Sequence, residues 1–168
     1  MALCTPWLHV LRGVKEDVYR PPRKDPLVLD LDGDGIQTIS VDAGVYFDHN
    51  GDAFAEATGW VDSGDGLLVM DRNGNGIIDD GRELFSDQTI LSNGRRAANG
   101  FQALADLDSN HDGKIDAQDV AFSQLRVWKD SDGDGVSQPD ELFTLDQLGI
   151  KANNLNPTTT TWHDVRGW

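Results

Sequence analysis

Short apolar segments alternate with polar, glycine-rich segments along most of this chain. In the first half, apolar runs at 27–29, 45–47 and 67–70 are bounded by Asp and Gly, which is typical of short β-strands. In the second half, apolar residues recur at helical spacing. The pattern therefore predicts strands first and helices later. The three helical stripes are Phe101, Leu104 and Leu107, then Val120, Phe122 and Leu125, then Leu142, Phe143, Leu145 and Leu148, with Pro139 suited to the first turn of the last helix.

Both ends of the chain lack this periodicity. Residues 1–25 carry five Lys/Arg against three Asp/Glu and contain a Pro-Pro pair, so we interpret them as a basic tail or linker. The threonine run at 158–161 also carries little pattern. We therefore expect one folded module at 26–155 and a loosely structured tail at 156–168.

One polar theme recurs within the module: an apolar residue, an Asp, alternating Asp or Asn, and then usually Gly. Its five copies are unevenly spaced, so they do not indicate a solenoid. We number these segments loop 1 to loop 5. Their first residues are Asp30, Asp48, Asp71, Asp108 and Asp130.

Composition and net charge limit the classes of function that this chain can have. The net charge is −15, and Asp outnumbers Glu by 25 to 4, which favours turns and short-armed metal ligands over helix surfaces. This charge argues against a nucleic-acid partner.

No run approaches the roughly 20 apolar residues of a transmembrane segment. Cys4 is the one cysteine, so no internal disulfide forms. The first residues make a poor signal peptide.

The loops suit calcium, which takes six to eight oxygen ligands from positions 1, 3, 5, 7, 9 and 12 of a twelve-residue loop with Gly at position 6. Loop 4 matches this spacing, with Ile115 free to pack inward at position 8. Loop 5 has its ligands in register, but its apolar residue falls at position 7. The predicted ligands are Asp108, Asn110, Asp112, the Lys114 carbonyl, Asp116 and Asp119 in loop 4, and Asp130, Asp132, Asp134, the Val136 carbonyl and Glu141 in loop 5.

The other three loops match less fully. Loop 3 offers Asp71, Asn73, Asn75, the Ile77 carbonyl and Asp79, but its acid, Glu83, stands at position 13. Loop 1 offers Asp30, Asp32 and Asp34 without an acid at position 12, and Asp42 lies one residue further on. Loop 2, with Asp48, Asn50 and Asp52, has Ala53 where Gly is expected, so a plain turn explains it equally well.

Other chemistry is sparse. No His pair has the helical spacing of a zinc site, and neither a nucleophile elbow nor a phosphate-binding loop is present. We interpret Trp60 and Trp128 as core residues. Together these features predict an α+β fold with short strands and calcium loops in the N-terminal half and EF-hand-like loop–helix units in the C-terminal half.

Several longer segments carry a family resemblance. With DPLVLDLDGDGI (25–36), DGLLVMDRNGNGIIDDGRELF (65–85) and LRVWKDSDGDGVSQPDEL (125–142), the chain resembles the self-processing module of RTX-type secreted proteins from Asp25 to Ile150. The resemblance implies that calcium triggers breakage of the Asp25–Pro26 bond. It also implies that the freed Asp end can be joined to a lysine amine of an acceptor protein.

The chemistry of an Asp-Pro bond fits that activity. The Asp25 carboxyl can attack its own backbone carbonyl to close a five-membered anhydride, an intramolecular step with a large effective molarity. The competing succinimide needs the N–H of the next residue, and Pro26 has none. Spacing alone favours a harmless Asp-Pro in a linker. The resemblance leads us to expect single-turnover autoproteolysis by a secreted or cell-surface protein that lacks a cleaved N-terminal signal peptide. The alternative is a non-catalytic, dockerin-like binding or adhesion module, since Asp108 and Asp130 are 22 residues apart.

Overall fold

The structure is a computed structural model that describes residues 26–155. These residues form ten β-strands of two to four residues and one α-helix of six. In chain order the elements are β1 (Val28–Leu29), β2 (Thr38–Ile39), β3 (Tyr46–Phe47), β4 (Glu56–Ala57), β5 (Trp60–Val61), β6 (Gly66–Val69), α1 (Gly100–Ala105), β7 (Lys114–Asp116), β8 (Arg126–Trp128), β9 (Leu142–Thr144) and β10 (Ala152–Asn154).

The central sheet has four antiparallel strands in the order β1–β6–β8–β9. Three two-stranded ribbons surround it, pairing β2 with β5, β3 with β4, and β7 with β10. Strands this short contribute few ladder hydrogen bonds and are marginal by themselves. The segments between them must therefore supply much of the order.

Strand β6 runs between two hydrophobic clusters because successive side chains of a strand point to opposite faces. Leu68 packs with Phe85 and Leu104 on one face. Leu67 and Val69 pack on the other face with an aromatic group that includes Trp60, Trp128 and Phe47. All four residues of β6 are buried, so this strand is the centre of the core.

The predicted α+β class is wrong. Strands do form at the three apolar runs of the first half. The 101–107 stripe does form α1, which Asn99 caps by accepting a hydrogen bond from the Gln102 N–H. However, apart from α1 and one 3-10 turn, the described residues of the C-terminal half form strands and turns rather than EF-hand-like loop–helix units.

The other two helical stripes do not form α-helices, and the reason is physical. Val120 is 79% exposed while Phe122 and Leu125 are buried, so the first stripe does not share one face and forms only a 3-10 turn at Phe122–Gln124. The second stripe is too short for a helix that is stable alone. Its residues at 142–144 pair with β8 instead, which satisfies the backbone of both strands. Pro139 lies in the turn that precedes β9.

The predicted tails, 1–25 and 156–168, lie outside the described residues, and the predicted domain boundaries stay predictions. Among residues 26–155, no helix is both long enough and apolar enough to cross a bilayer.

Candidate metal centres in the Asp-led loops

The five loops share one backbone conformation, organised by the carboxylate of the first Asp. In each loop this carboxylate accepts a hydrogen bond from the N–H of position 6, at 2.7–3.1 Å. In four loops it also accepts one from position 4, at 2.7–2.8 Å. Each lead Asp therefore acts as the hub of its own loop. Their burial ranges from exposed for Asp30 to 1% exposure for Asp130.

This conformation places positions 4 and 6 of every loop at positive φ. Glycine adopts such angles without steric cost, and eight of the ten positions are Gly. The exceptions are Ala53 at position 6 of loop 2 (φ 70°) and His111 at position 4 of loop 4 (φ 59°). A side chain in this region is strained, so loop 2 adopts the common shape at an energetic cost.

Three loops are closed by an acid that bridges their two ends. Glu83 accepts hydrogen bonds from the N–H groups of Arg72 and Asp79, so the extra residue of loop 3 does not prevent it from reaching back. Asp119 and Glu141 make the same pair of contacts in loops 4 and 5. Their donors are the N–H groups of Ser109 and Asp116 for Asp119, and of Ser131 and Gln138 for Glu141.

The predicted ligands of loop 5 gather most closely. Carboxylate oxygens of Asp130, Asp132 and Asp134 lie within 4.8 Å of one another. Loss of hydration, followed by repulsion from Asp134, Glu141 and Asp130, raises the pKa of Asp132. A cation among these oxygens would relieve that repulsion.

The ligands of loops 3 and 4 are held mainly by polar contacts within each loop. In loop 3, the Asn75 amide donates to Asp79 at 2.8 Å, and burial raises the pKa of Glu83. In loop 4, the Lys114 ammonium pairs with Asp116 and Asp112, which raises its own pKa and lowers that of Asp116.

A charged lysine therefore lies among the ligand oxygens of loop 4. Backbone N–H donation, chiefly from Asp116, lowers the pKa of Asp119 and favours its charged form. Asn110 donates to Asp112 through its amide at 3.2 Å, and Ile115 is fully buried as predicted. The side chains of Ile77 and Val136, at position 7 of loops 3 and 5, point to solvent, with exposures of 42% and 59%.

Loop 2 already has a positive charge beside it. The Arg82 guanidinium pairs with Asp80 and packs over Gly51, and its field also acts on Asp48. Asn50 donates to Glu56 at 3.1 Å, outside the lead carboxylate. These contacts stabilise loop 2 as a turn.

Loop 1 contains the site residue that sequence reasoning missed. Carboxylate oxygens of Asp30, Asp32 and Asp65 lie within 4.8 Å of one another, although Asp65 is distant in sequence. Asp34 instead accepts from the Gln37 amide at 2.7 Å, and Asp42 contacts Ser40. No spacing rule points to Asp65; its one signal is an acid in a Gly-Asp-Gly turn before a buried strand.

The surroundings of Asp65 show whether a metal ion fits the oxygen cluster of loop 1. The side chain is 1% exposed, and its Oδ1 has no hydrogen-bond partner. A buried, unsatisfied carboxylate oxygen is costly unless it is paired or coordinates a cation. The donors gathered in these loops are carboxylate, amide and carbonyl oxygens, which suit a hard cation such as calcium and not zinc.

Two buried tryptophans connect loop 5 to the core. The Trp60 Nε1–H donates to Asp130 Oδ2 at 2.7 Å, and the Trp128 Nε1–H donates to Glu141 Oε2 at 3.3 Å. Both rings pack against Phe47 in tilted orientations. The prediction that they are core residues is confirmed, with exposures of 3% and 0%. Sequence reasoning did not foresee that their indoles also bond to the loop.

The predicted cleavage point lies at the boundary of the described residues. Asp25 lies outside them, and Pro26 is partly buried. The next residue, Leu27, donates its N–H to the Phe85 carbonyl and accepts one from the Leu68 N–H, both at 2.9 Å. The chain immediately after the Asp25–Pro26 bond is therefore anchored to the sheet.

Two comparisons with known proteins found similar sequences. Residues 27–167 match the SPM domain family. The chain is also similar to the iron-regulated protein FrpA of Neisseria meningitidis serogroup C, with 56% identity over 153 residues. That alignment takes in 89% of this chain and spans 13% of the length of FrpA.

The strained loop 2 gives a stability prediction. Ala53→Gly should raise the free energy of unfolding by about 1 kcal/mol, because Gly accepts φ 70° without steric cost. As the matched control, Gly76→Ala at φ 86° should lower the free energy of unfolding by about 1 kcal/mol. Nothing lies within 4 Å of the added Cβ, so this cost comes from the backbone angle alone. Urea unfolding of both variants checks this. A destabilised Ala53→Gly would contradict it.

The Trp60–Asp130 bond gives a second prediction. A double-mutant cycle of Trp60→Phe and Asp130→Asn should show a coupling energy of about 1 kcal/mol in urea unfolding, because the indole bonds to a charged oxygen. The control cycle pairs Trp60→Phe with Asp71→Asn, which accepts no bond from Trp60 and should be additive. Equal coupling in the two cycles would mean that the bond contributes nothing specific.

Proposed function

We propose that this chain, which belongs to the SPM domain family, is a calcium-binding module that folds around several calcium ions. The observation that carries the proposal is the shared loop conformation, in which the lead Asp organises the backbone and, in loops 1 and 5, lies with two other acids in one oxygen cluster. The buried, unpartnered oxygen of Asp65 adds support from a residue outside those loops. Calcium suits such loops better than magnesium, which demands a more rigid octahedral site and keeps several waters.

Charge explains why calcium should control folding. From Pro26 onward the chain carries 26 Asp/Glu against nine Lys/Arg, and many of these acids converge in the loops. Without a counter-ion, such clusters repel one another and oppose compaction. Bound calcium supplies positive charge to the oxygen clusters. Because the strands between the loops have at most four residues, the order of the loops decides the order of the sheet.

The finer proposal is that the module breaks its own Asp25–Pro26 bond. A carboxylate oxygen of Asp25 bonds to the Asp25 carbonyl carbon, the C–N bond to Pro26 breaks, and the proline nitrogen leaves with a proton. Water then opens the anhydride to give two carboxyl groups at Asp25. If a neutral lysine amine attacks instead, an isopeptide forms and one carboxyl is regenerated.

The family resemblance and the chemistry of Asp-Pro support this cleavage. The anchoring of Leu27 adds a structural reason, since a bond next to a fixed residue reacts with less loss of freedom. As the chain spans 13% of the length of FrpA, we place the module in a larger RTX-like protein that is secreted or exposed at the cell surface. The ligation acceptor would be a lysine-bearing protein.

A second candidate is a non-catalytic, dockerin-like binding module. Tyr46, Ile77 and Val136 line one surface groove with exposures of 58%, 42% and 59%. Clustered exposed apolar side chains are typical of a docking surface. This candidate takes over if the Asp25–Pro26 bond stays intact in calcium.

The first test measures whether folding depends on calcium. Far-ultraviolet circular dichroism and tryptophan fluorescence should change together as calcium rises through about 0.1–1 mM, the range of extracellular modules. Asp108→Ala and Glu141→Ala should weaken the transition more than Asp48→Ala, because loops 4 and 5 have the fuller sets of predicted ligands, whereas a plain turn explains loop 2 equally well. Identical spectra in chelator and in millimolar calcium would refute the proposal.

Cleavage needs its own test. After calcium addition to the pure chain, denaturing electrophoresis with mass spectrometry should find a fragment that begins at Pro26. Asp25→Asn should abolish that fragment, because no carboxyl remains to form the anhydride, while calcium-induced folding persists. An equal rate in Asp25→Asn would point to a contaminating protease. An intact wild-type chain would refute self-cleavage and leave calcium binding untouched.

A further inference from the structure

Loop 1 differs from loops 3, 4 and 5 in having no acid that closes it. In those three loops, the closing acid accepts the N–H groups of positions 2 and 9 and so joins the end of the loop to its beginning. At position 12 loop 1 has Val41, which is half exposed, and at position 13 it has Asp42, which contacts Ser40 and lies outside the oxygen cluster. The loop that directly follows the proposed cleavage point therefore needs a ligand from elsewhere.

Asp65 makes one contact that resembles those of the closing acids, although it falls one position earlier in the loop. Its Oδ2 accepts the N–H of Gln37, position 8 of loop 1, at 2.7 Å. Gln37 in turn accepts the Asp62 N–H, and the Asp62 carbonyl accepts the Asp65 N–H, both at 3.0 Å. The turn that carries Asp65 is thus hydrogen-bonded to loop 1 on both sides.

The remaining features of Asp65 match those of a metal ligand. Its carboxylate lies with those of Asp30 and Asp32 in one oxygen cluster. It is buried, and its Oδ1 lacks a partner. Gly64 leaves room for this approach, since a Cβ there would come within 2.5 Å of Asp32 Oδ2. Three carboxylates this close are mutually repulsive unless a cation lies among them.

We propose that Asp65 is the closing ligand of a calcium site formed with Asp30 and Asp32, and that this site switches on cleavage at Asp25–Pro26. The switching role rests on the proposed function; the ion site does not. Asp30 directly follows β1, and Asp65 directly precedes β6, the strand that pairs with β1. An ion shared by the two acids therefore joins these two strands at one end.

The other end of β1 is already held, because Leu27 bonds to Phe85 and Leu68. β1 has two residues and is an edge strand, so it belongs to the least stable part of the sheet. Fixing both of its ends orders the residues that follow the scissile bond. When the ion leaves, repulsion among the three carboxylates loosens that edge while the rest of the sheet keeps its contacts.

The loop 1 site differs from the loop 5 site in what it holds. Asp130 and Glu141 accept hydrogen bonds from the core indoles of Trp60 and Trp128, so an ion in loop 5 acts on the hydrophobic core. Loop 1 is mostly exposed, and Asp30 and Asp32 bond to no core side chain in the described residues. Loss of the loop 1 ion should therefore separate cleavage from folding.

The test compares Asp65→Asn with Asp42→Asn in the full 168-residue chain. Asp42 is the matched control, because it lies at the end of the same loop, is exposed, and stays outside the oxygen cluster. Calcium titration calorimetry should show about one ion fewer per chain for Asp65→Asn and no change for Asp42→Asn. The circular dichroism change on calcium addition should persist in both variants.

Cleavage is then measured in millimolar calcium by electrophoresis with mass spectrometry. Asp65→Asn should cleave about tenfold more slowly or worse, the scale of a typical coupling between sites, while Asp42→Asn matches the wild type. If Asp65→Asn fails to fold, Asp32→Asn tests the same cluster at an exposed position.

The outcomes separate the two claims. An unchanged ion count in a folded Asp65→Asn overturns the site. A lost ion with a wild-type cleavage rate overturns the switch and keeps the site. A wild-type chain that never cleaves refutes self-cleavage and the switch together, and the ion count still decides whether Asp65 is a ligand.

Discussion

The rest of the structure depends on the carboxylate of the first Asp in each loop. It folds the following residues around itself by accepting their backbone N–H groups, and the same carboxylate is a predicted ligand. Loop shape and ion affinity thus depend on one group. Because ten strands of two to four residues depend on the segments between them, whatever orders the loops orders the sheet.

The loops are unequal because their surroundings differ. Loop 5 is tied to buried indoles, so its acids bond directly to the core. Loop 4 carries Lys114 among its acids, and loop 2 lies beside Arg82. A positive side chain and a metal ion compete for the same oxygens. In loop 4 the lysine pairs with the predicted ligands Asp112 and Asp116 themselves, whereas Arg82 pairs with Asp80, which is not a predicted ligand.

In the proposed site, loop 1 depends on a distant part of the chain. Its missing closing acid is replaced by Asp65, which the pairing of β1 with β6 brings to it. Such a site forms only when the strands are paired. Ion binding there would report on assembly of the sheet edge beside Pro26.

The sequence by itself determined the local chemistry. Asp and Gly spacing revealed all five loops, because a carboxylate hub with residues at positive φ is encoded within six residues. The short apolar runs identified β1, β3 and β6, and the stripe at Phe101 and Leu104 identified α1. Burial of the two tryptophans also followed from residue type.

Only the tertiary structure decided what each segment pairs with. Residues 142–144 have helical spacing but form a strand, because β8 offers backbone partners that a short helix would lack. Asp65 joins Asp30 through the pairing of two strands, and the Trp60 indole reaches Asp130 from 70 residues away. Spacing rules describe neighbours along the chain, whereas these contacts arise from packing between segments far apart in sequence.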